Sequence, residues 1–138
     1  MKKGFTLIEL LVSITIILLL TSVGVVYYTG AQKRARDSKR QADLEQLRSA
    51  LEMYRNDEDV YPTANGTVAA TLTVLETLGY INDLPTDPKD YSYHYTSSDG
   101  YAYYLCAFLE TGGSGAPDCG NDCSAPEDAD CNYQVNNP

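Results

Sequence analysis

The amino-acid sequence predicts an α+β fold in which a long N-terminal helix packs on a small antiparallel sheet and a disulfide-held loop follows. Three observations support this class. The N-terminal part has no proline and is first apolar and then amphipathic, tyrosines later alternate with polar residues, and four cysteines lie within the last 33 residues. A chain of 138 residues fits one domain with an appendage.

The apolar stretch at residues 5–28 predicts a membrane-spanning helix. It contains 24 residues with Glu9 as its only charge. At about 1.5 Å per residue it is long enough to cross a hydrocarbon layer of roughly 30 Å. An ordinary signal peptide has a shorter apolar region followed by small residues, whereas here the small residue Gly4 precedes the apolar run. We therefore assign residues 5–30 to a transmembrane helix; the family resemblance given below implies that the same residues form the core of a filament.

Glu9 needs a partner within this span. A carboxylate in hydrocarbon costs about 2.5–3.5 kcal/mol, and no Lys or Arg occurs between Phe5 and Gln32. One interpretation is a charge near the membrane edge that reaches toward water. The other is that cleavage after Gly4 creates a positive α-amino group on Phe5, one helical turn from Glu9. That amine would supply the missing cation, in the same chain or from a neighbouring copy.

Residues 1–12, Met-Lys-Lys-Gly-Phe-Thr-Leu-Ile-Glu-Leu-Leu-Val, closely resemble the start of type IV pilins and of type II secretion pseudopilins. The resemblance lies in the basic leader, Gly4, Phe5, Glu9 and the unbroken apolar helix. It implies a pilin-like fold and removal of leader residues 1–4 by a prepilin peptidase, which also N-methylates Phe5. It further implies that Glu9 neutralises the Phe5 amine of an adjacent copy, during assembly at an inner-membrane platform.

The helix is expected to continue into the head, which we assign to residues 31–138, with the amphipathic helix at 31–57. Four residues at spacings of three and four predict a helix face packed on the head's own sheet: Leu44, Leu47, Leu51 and Tyr54. The basic residues at 33–40 are interpreted as a membrane-interface anchor or, preferably, as partners for acidic surfaces of another copy. We expect no direct nucleic-acid binding.

Residues 58–138 predict a turn, a short helix and a hairpin. Asn65-Gly66 is a turn signal, and residues 68–79 predict a short helix that stops at Gly79. Alternating residues on either side of a turn at 98–100 predict two strands joined by aromatic packing: Tyr91, Tyr93, Tyr95, Tyr101, Tyr103 and Leu105. Residues 61–63, 84–88 and 93–95 are similar to the head of major pseudopilins, although Lys89 stands where an aromatic residue is expected.

Charge divides the chain into two parts. Residues 1–40 carry seven basic residues and two acidic ones, whereas residues 41–138 carry three basic residues and seventeen acidic ones. Such a division predicts a tail and a head that occupy different surroundings.

Four cysteines in a small polar head predict two disulfides in an oxidising compartment. A zinc site is disfavoured because no histidine lies within ten residues of any of them. Three pairings are possible, and we favour Cys106–Cys131 together with Cys119–Cys123. Cys131 opens a plausible last strand at residues 132–135, which would lie beside the strand of Cys106.

Acidic residues in the C-terminal loop are candidate calcium ligands, because hard cations prefer clustered oxygens: Asp118, Asp122, Asp128 and Asp130. The resemblance supports this site, since major pseudopilins bind calcium near the C-terminus. The loop lacks the spacing of an EF-hand, so a solvated acidic loop is the preferred interpretation. We expect no other cofactor.

The sequence predicts a non-enzymatic filament subunit. His94 is the only histidine, and phosphate-binding and nucleophile motifs are absent. The first hypothesis is a type IV pilus subunit, assembled with copies of itself into a helical filament for adhesion, motility or DNA uptake. The alternatives are a type II secretion pseudopilin and a monomeric membrane-anchored binding module. The expected location is the inner or cytoplasmic membrane as a single-pass precursor with its head outside, then an extracellular pilus or periplasmic pseudopilus.

Overall fold

The computed structural model describes residues 4–113, 115–116, 119, 123 and 130–137, and it confirms the α+β class. Contacts divide the chain into two units, Met1–Ala35 and Arg36–Pro138. Its elements, in chain order, are α1 (Leu7–Glu58), β1 (Ala64–Thr67), α2 (Val68–Thr71), α3 (Thr73–Thr77), β2 (His94–Ser97), β3 (Tyr104–Ala107) and β4 (Tyr133–Asn136).

The first unit holds the apolar part of α1, which exposes its side chains. An 18-residue window has a mean hydropathy of 2.5 and is 0 % buried, so length and composition are sufficient to cross a membrane. Four hydroxyl groups in this part each donate a hydrogen bond to a carbonyl three or four residues earlier in the helix: Ser13, Thr15, Thr21 and Ser22. The helix therefore satisfies these polar groups internally, as a hydrocarbon environment requires.

In the second unit, the amphipathic part of α1 packs on the sheet. Leu44, Leu47 and Leu51 are 0 % exposed and lie in one core with residues of the strands, while Tyr54 is partly buried against it. Burial of each such leucine stabilises a fold by about 1.5–3 kcal/mol. The predicted core-facing stripe is confirmed.

The sheet is antiparallel throughout, in the order β1-β2-β3-β4. Its register aligns Tyr95 with Leu105 and Leu105 with Val135, and all three belong to the core that contains the leucines of α1. Cys106 points to the other face, because neighbouring residues of a strand alternate between faces. There it belongs to a second cluster, which contains the four cysteines.

Two local predictions were wrong in detail. Asn65 and Gly66 lie in β1 rather than a turn, and a Cβ atom on Gly66 would lie 3.2 Å from Thr71 Cγ2, so close packing accounts for the glycine. The helix at residues 68–79 is two short helices, separated at the fully buried Leu72. The second of them ends at Thr77, two residues before Gly79, whose φ of +81° favours glycine.

Candidate assembly site

The predicted cleavage site lies before the first turn of α1. Gly4, Phe5 and Thr6 are outside the helix, which begins at Leu7. Phe5 is 83 % exposed. Apart from the two residues bonded to Gly4, no described residue has an atom within 4 Å of the position of a Cβ on Gly4. A non-helical, exposed peptide bond between Gly4 and Phe5 is the geometry that a peptidase needs.

Glu9 and Thr6 form a capping box at the start of α1. The Thr6 backbone N–H and Oγ1 donate to Glu9 Oε2 at 2.9 and 2.6 Å, and the Glu9 N–H donates to Thr6 Oγ1 at 3.3 Å. This reciprocal arrangement satisfies backbone N–H groups that a helix start leaves without partners. The capping box was not among the predictions made from sequence, although the motif Thr-x-x-Glu that indicates it is present at residues 6–9.

The capping box gives Glu9 a hydrogen-bonding partner in its own chain, and no cation among the described residues forms an ion pair with Glu9. Two roles for this carboxylate are therefore separable: the cap orders the first turn, and the negative charge remains available for a positive group. The predicted pairing with the Phe5 amine requires cleavage after Gly4 and stays a prediction.

The basic residues at 33–40 do not form one surface patch. Lys33 and Arg34 are exposed, but Arg40 is fully buried and Arg36 is partly buried. Both buried arginines bind carboxylates of the same head. The interpretation of this whole segment as a partner for other copies was therefore wrong, and only its first part and Lys39 remain at the surface.

Arg40 is the centre of a buried ion network. Its Nε donates to Asp87 Oδ2 at 2.5 Å and its Nη2 to Asp87 Oδ1 at 3.2 Å. Its Nη1 donates to Asp37 Oδ1 at 2.7 Å and to Glu110 Oε1 at 3.2 Å. Burial alone would lower the pKa of Arg40, but hydrogen bonds to these carboxylates outweigh burial and raise it. The guanidinium therefore stays charged.

The network balances three cations against three carboxylates: Arg36, Arg40 and Lys89 with Asp37, Asp87 and Glu110. We call these six residues the Arg40 network. Hydrogen bonds from Arg36, and then from Lys89 and Arg40, lower the pKa of Glu110 to about 2 despite its burial. Lys89, which departs from the aromatic residue expected at its position, donates to Glu110 Oε2 at 3.1 Å.

The Arg40 network fixes two loops on helix α1. Asp37 accepts the backbone N–H groups of Glu110 and Thr111, both at 2.9 Å, and Asp87 accepts the Lys89 N–H at 2.7 Å. The C-terminal loop thus begins at a position set by α1. Sequence reasoning could have found this network, because Arg36 and Arg40 extend the stripe of Leu44 at intervals of four residues.

Tyrosine hydroxyls of the head donate to carboxylates of α1. Tyr93 donates to Asp43 at 2.7 Å in a buried position, and Tyr61 donates to Glu52 at 2.9 Å. Burial, reinforced by the hydrogen bond to Asp43, raises the pKa of Tyr93. The aromatic packing predicted between the two strands is present for Tyr95 and Tyr103, whose ring centres lie 6.1 Å apart. The hydroxyl groups join the sheet to the helix.

All four cysteines form disulfides, but the predicted pairing was wrong. The bonds are Cys106–Cys119 and Cys123–Cys131, with Cα atoms 6.1 and 5.3 Å apart. Cys131 does lie just before a last strand beside β3, but Cys106 aligns with Gln134. Cys131 is therefore three residues, or about 10 Å along a strand, from the position opposite Cys106. A disulfide can join residues whose Cα atoms are up to roughly 7 Å apart.

The calcium prediction falls mostly outside the described residues. Of its four candidates, the structure describes Asp130, which is exposed, and does not describe Asp118, Asp122 and Asp128. Within the described part of the chain, no group of three or more His, Cys, Asp or Glu side chains could hold a metal ion. The calcium site therefore stays a prediction.

Comparison with protein families matches both parts of the chain. Residues 1–25 match the prokaryotic N-terminal methylation motif, and residues 27–125 match the model of type II secretion system protein G. The first match contains Gly4, Phe5 and Glu9. The second contains the Arg40 network and three of the four cysteines.

Related proteins agree with the family models. The chain is 35 % identical over 104 residues to type II secretion system core protein G of Vibrio cholerae, covering 70 % of this chain and 71 % of that protein. Identity to the protein of the same name is 38 % over 96 residues in Escherichia coli K12, covering 63 % and 66 %. It is 28 % over 126 residues in Pseudomonas aeruginosa, covering 82 % and 89 %.

No solved structure matches the chain significantly. The family model nevertheless covers most of the head, and several relatives above 30 % identity carry one name. This chain belongs to the family of protein G of the type II secretion system.

Proposed function

We propose that this chain is a pseudopilin, a structural subunit that polymerises through the apolar part of α1 into a periplasmic pseudopilus of a type II secretion system. The observation that carries the proposal is a fully exposed apolar helix on a head that matches protein G. An exposed apolar surface of this length needs lipid or other apolar helices around it. In this proposal, lipid surrounds the helix before assembly, and the apolar helices of other copies surround it after assembly.

The N-terminus supplies the chemistry of maturation in this proposal. A peptidase cuts the exposed bond after Gly4, and the new Phe5 amine is methylated. Glu9 then offers its charge to the Phe5 amine of a neighbouring copy. Because this pair forms among apolar helices, each incoming copy must present both charges in register.

The head has a structural role in this proposal. The Arg40 network and the two disulfides connect separate segments of the head, and such cross-links favour the constant surface that a repeating contact in a filament requires. Calcium binding at the acidic residues of the C-terminal loop is a further hypothesis, and titration of the chain with calcium tests it. Other copies, the prepilin peptidase and the inner-membrane assembly platform are the proposed partners.

A type IV pilus subunit, the first hypothesis from sequence, is the second candidate. The two disulfides favour it, because they suit a head exposed outside the cell. The names of the relatives support the pseudopilin better.

Deletion of the gene in the source cell separates the two functions. For a pseudopilin, proteins normally secreted into the medium should accumulate in the periplasm, while surface pili and motility remain. The wild-type gene should restore secretion. Loss of pili with normal secretion would overturn the proposal and support the pilus subunit.

A further inference from the structure

One end of the head exposes an apolar surface with an acidic rim. Tyr101 is 68 % exposed and Val60 is 38 % exposed. They are neighbours, because the Tyr61 N–H donates to the Gly100 carbonyl at 2.8 Å. A Cβ atom on Gly100 would also lie 3.3 Å from Val60 Cβ, so the two segments are in direct contact.

The rim of this surface consists of exposed carboxylates on both segments: Glu58, Asp59 and Asp99. We call these three residues, with Val60 and Tyr101, the acidic end. Within the part of the chain that the structure describes, none of the three carboxylates forms an ion pair. The nearby Arg55 is engaged with Tyr61, through its hydroxyl at 3.0 Å and its ring at 5.0 Å.

The position of these charges is electrostatically unfavourable for the isolated head. Glu58 is the last residue of α1, and the C-terminus of a helix already carries negative partial charge. A basic residue there would stabilise the helix better. Acidic residues at a helix C-terminus, next to an exposed aromatic ring, are therefore suited to a cationic partner with an apolar or aromatic part.

A segment of the other unit has the complementary chemistry. Tyr27 and Tyr28 are 76 % and 65 % exposed, and Lys33 and Arg34 follow them on the exposed surface of α1. In contrast to Arg36 and Arg40, the two cations have no described ion pair in their own chain. Residues 27–34 therefore combine exposed aromatic rings with available positive charge.

We propose that the acidic end of one head docks on residues 27–34 of a second copy. The inference rests on the proposed function, because it needs copies brought together in a filament. Tyr101 and Val60 contact the exposed tyrosines, and Glu58, Asp59 and Asp99 face Lys33 and Arg34. The contact uses a different surface in each partner, so it extends from copy to copy and does not close as a dimer.

Charge reversal of the full-length chain tests the contact. Glu58→Lys should lower the yield of sheared filaments by about tenfold relative to the membrane pool, because like charges then face each other across the contact. Arg34→Glu should have a similar effect, and the double variant should restore most of the yield. Among the described residues the Glu58 side chain forms no hydrogen bond and no ion pair, and lysine suits a helix C-terminus, so the head should fold normally.

Glu45→Lys is the matched control. It makes the same change of charge on an exposed position of α1 outside the acidic end, and its filament yield should stay within about threefold of wild type. In addition, a photoreactive benzoylphenylalanine at position 101 should cross-link to residues 27–34 of another copy.

The outcomes distinguish this contact from the proposed function. The contact alone would be overturned if the wild-type chain forms filaments and Glu58→Lys gives the same yield, or if the double variant restores none of the lost yield. A cross-link from position 101 to another surface, to lipid or to another protein would also overturn it. Failure of the wild-type chain to enter any filament would overturn the proposed function and this contact with it. Loss of Arg34→Glu from the membrane would instead assign residues 33–34 to an anionic lipid surface and overturn the contact.

Discussion

The two parts of helix α1 present their leucines in opposite ways. In the first unit, Leu18, Leu19 and Leu20 are 65–69 % exposed, whereas Leu44 and Leu47 in the second are 0 % exposed. The difference follows from the pattern. The first part is apolar around nearly its whole circumference, which suits surroundings of lipid or of other apolar helices, while the second has one apolar stripe that the sheet covers. One helix therefore serves two environments.

Each part of α1 also contains one charged residue on an apolar surface, Arg40 or Glu9, and the two charges have different partners. Arg40 lies on the core-facing stripe and is neutralised by carboxylates of its own head. Glu9 lies in the apolar stretch and receives hydrogen bonds from Thr6, and it has no ion pair with any residue that the structure describes. We propose that the charge within the head serves folding and that the charge in the apolar part serves assembly.

The largest expected effect is the loss of folding stability when Arg40 is replaced. Arg40→Met should destabilise the head by about 3–5 kcal/mol, because it leaves Asp37, Asp87 and Glu110 buried without their central cation. Thermal unfolding of the chain in detergent, followed by the near-UV circular dichroism of its tyrosines, measures the change.

Arg48→Met is the control for that variant. Arg48 is half-exposed and lies 3.5 Å from Glu45, so its loss should cost less than about 1 kcal/mol. Equal effects of the two substitutions would contradict the central role of the Arg40 network.

Helix periodicity and strand alternation were sufficient to predict most of the fold. The leucine stripe and three of the alternating tyrosines, Tyr93, Tyr95 and Tyr103, identified the core, because burial follows these periods. Tyr101 was predicted to belong to the same pattern but is exposed. Arg40 was misassigned because positive charge was taken as a sign of surface exposure, although its spacing from Leu44 places it on the buried face. Its partners Asp87 and Glu110 are 47 and 70 residues away, and local patterns do not reveal such contacts.

The disulfide pairing could not be predicted from the sequence, because it too depends on contacts between distant residues. Three pairings were open, and the choice depended on the register of β3 and β4, which shifts Cys131 away from Cys106. The capping box at Thr6 and Glu9, in contrast, was predictable from a four-residue motif.

The disulfides provide the next test, of smaller expected size. Removing either pair by double Cys→Ser substitution should destabilise the head by about 2–3 kcal/mol, as expected for loops closed at sequence separations of 13 and 8 residues. Peptide mapping under non-reducing conditions should recover Cys106 with Cys119 and Cys123 with Cys131. A peptide joining Cys106 to Cys131 would contradict the register described here.

A pH profile tests the Arg40 network with a smaller effect. The pKa of Glu110 falls from 4.5 to about 2 in the folded head, chiefly through Arg36. Its contribution to stability is therefore complete above about 4.5 and is lost as the pH falls through about 2. Glu110→Gln should lose less stability than wild type over this interval. Parallel melting profiles of the two chains would contradict the assigned shift.

The most direct test of the central claim separates the two roles of Glu9. Glu9→Gln keeps a side chain that supports the capping box and removes the charge, whereas Thr6→Ala removes the capping hydroxyl and keeps the charge. The measurement is the ratio of subunit in sheared filaments to subunit in the membrane. We predict a normal membrane level for both variants, with a ratio about a hundredfold lower for Glu9→Gln and about fivefold lower for Thr6→Ala. A normal ratio for Glu9→Gln, or equal losses in the two variants, would contradict the claim that the Glu9 charge is reserved for assembly.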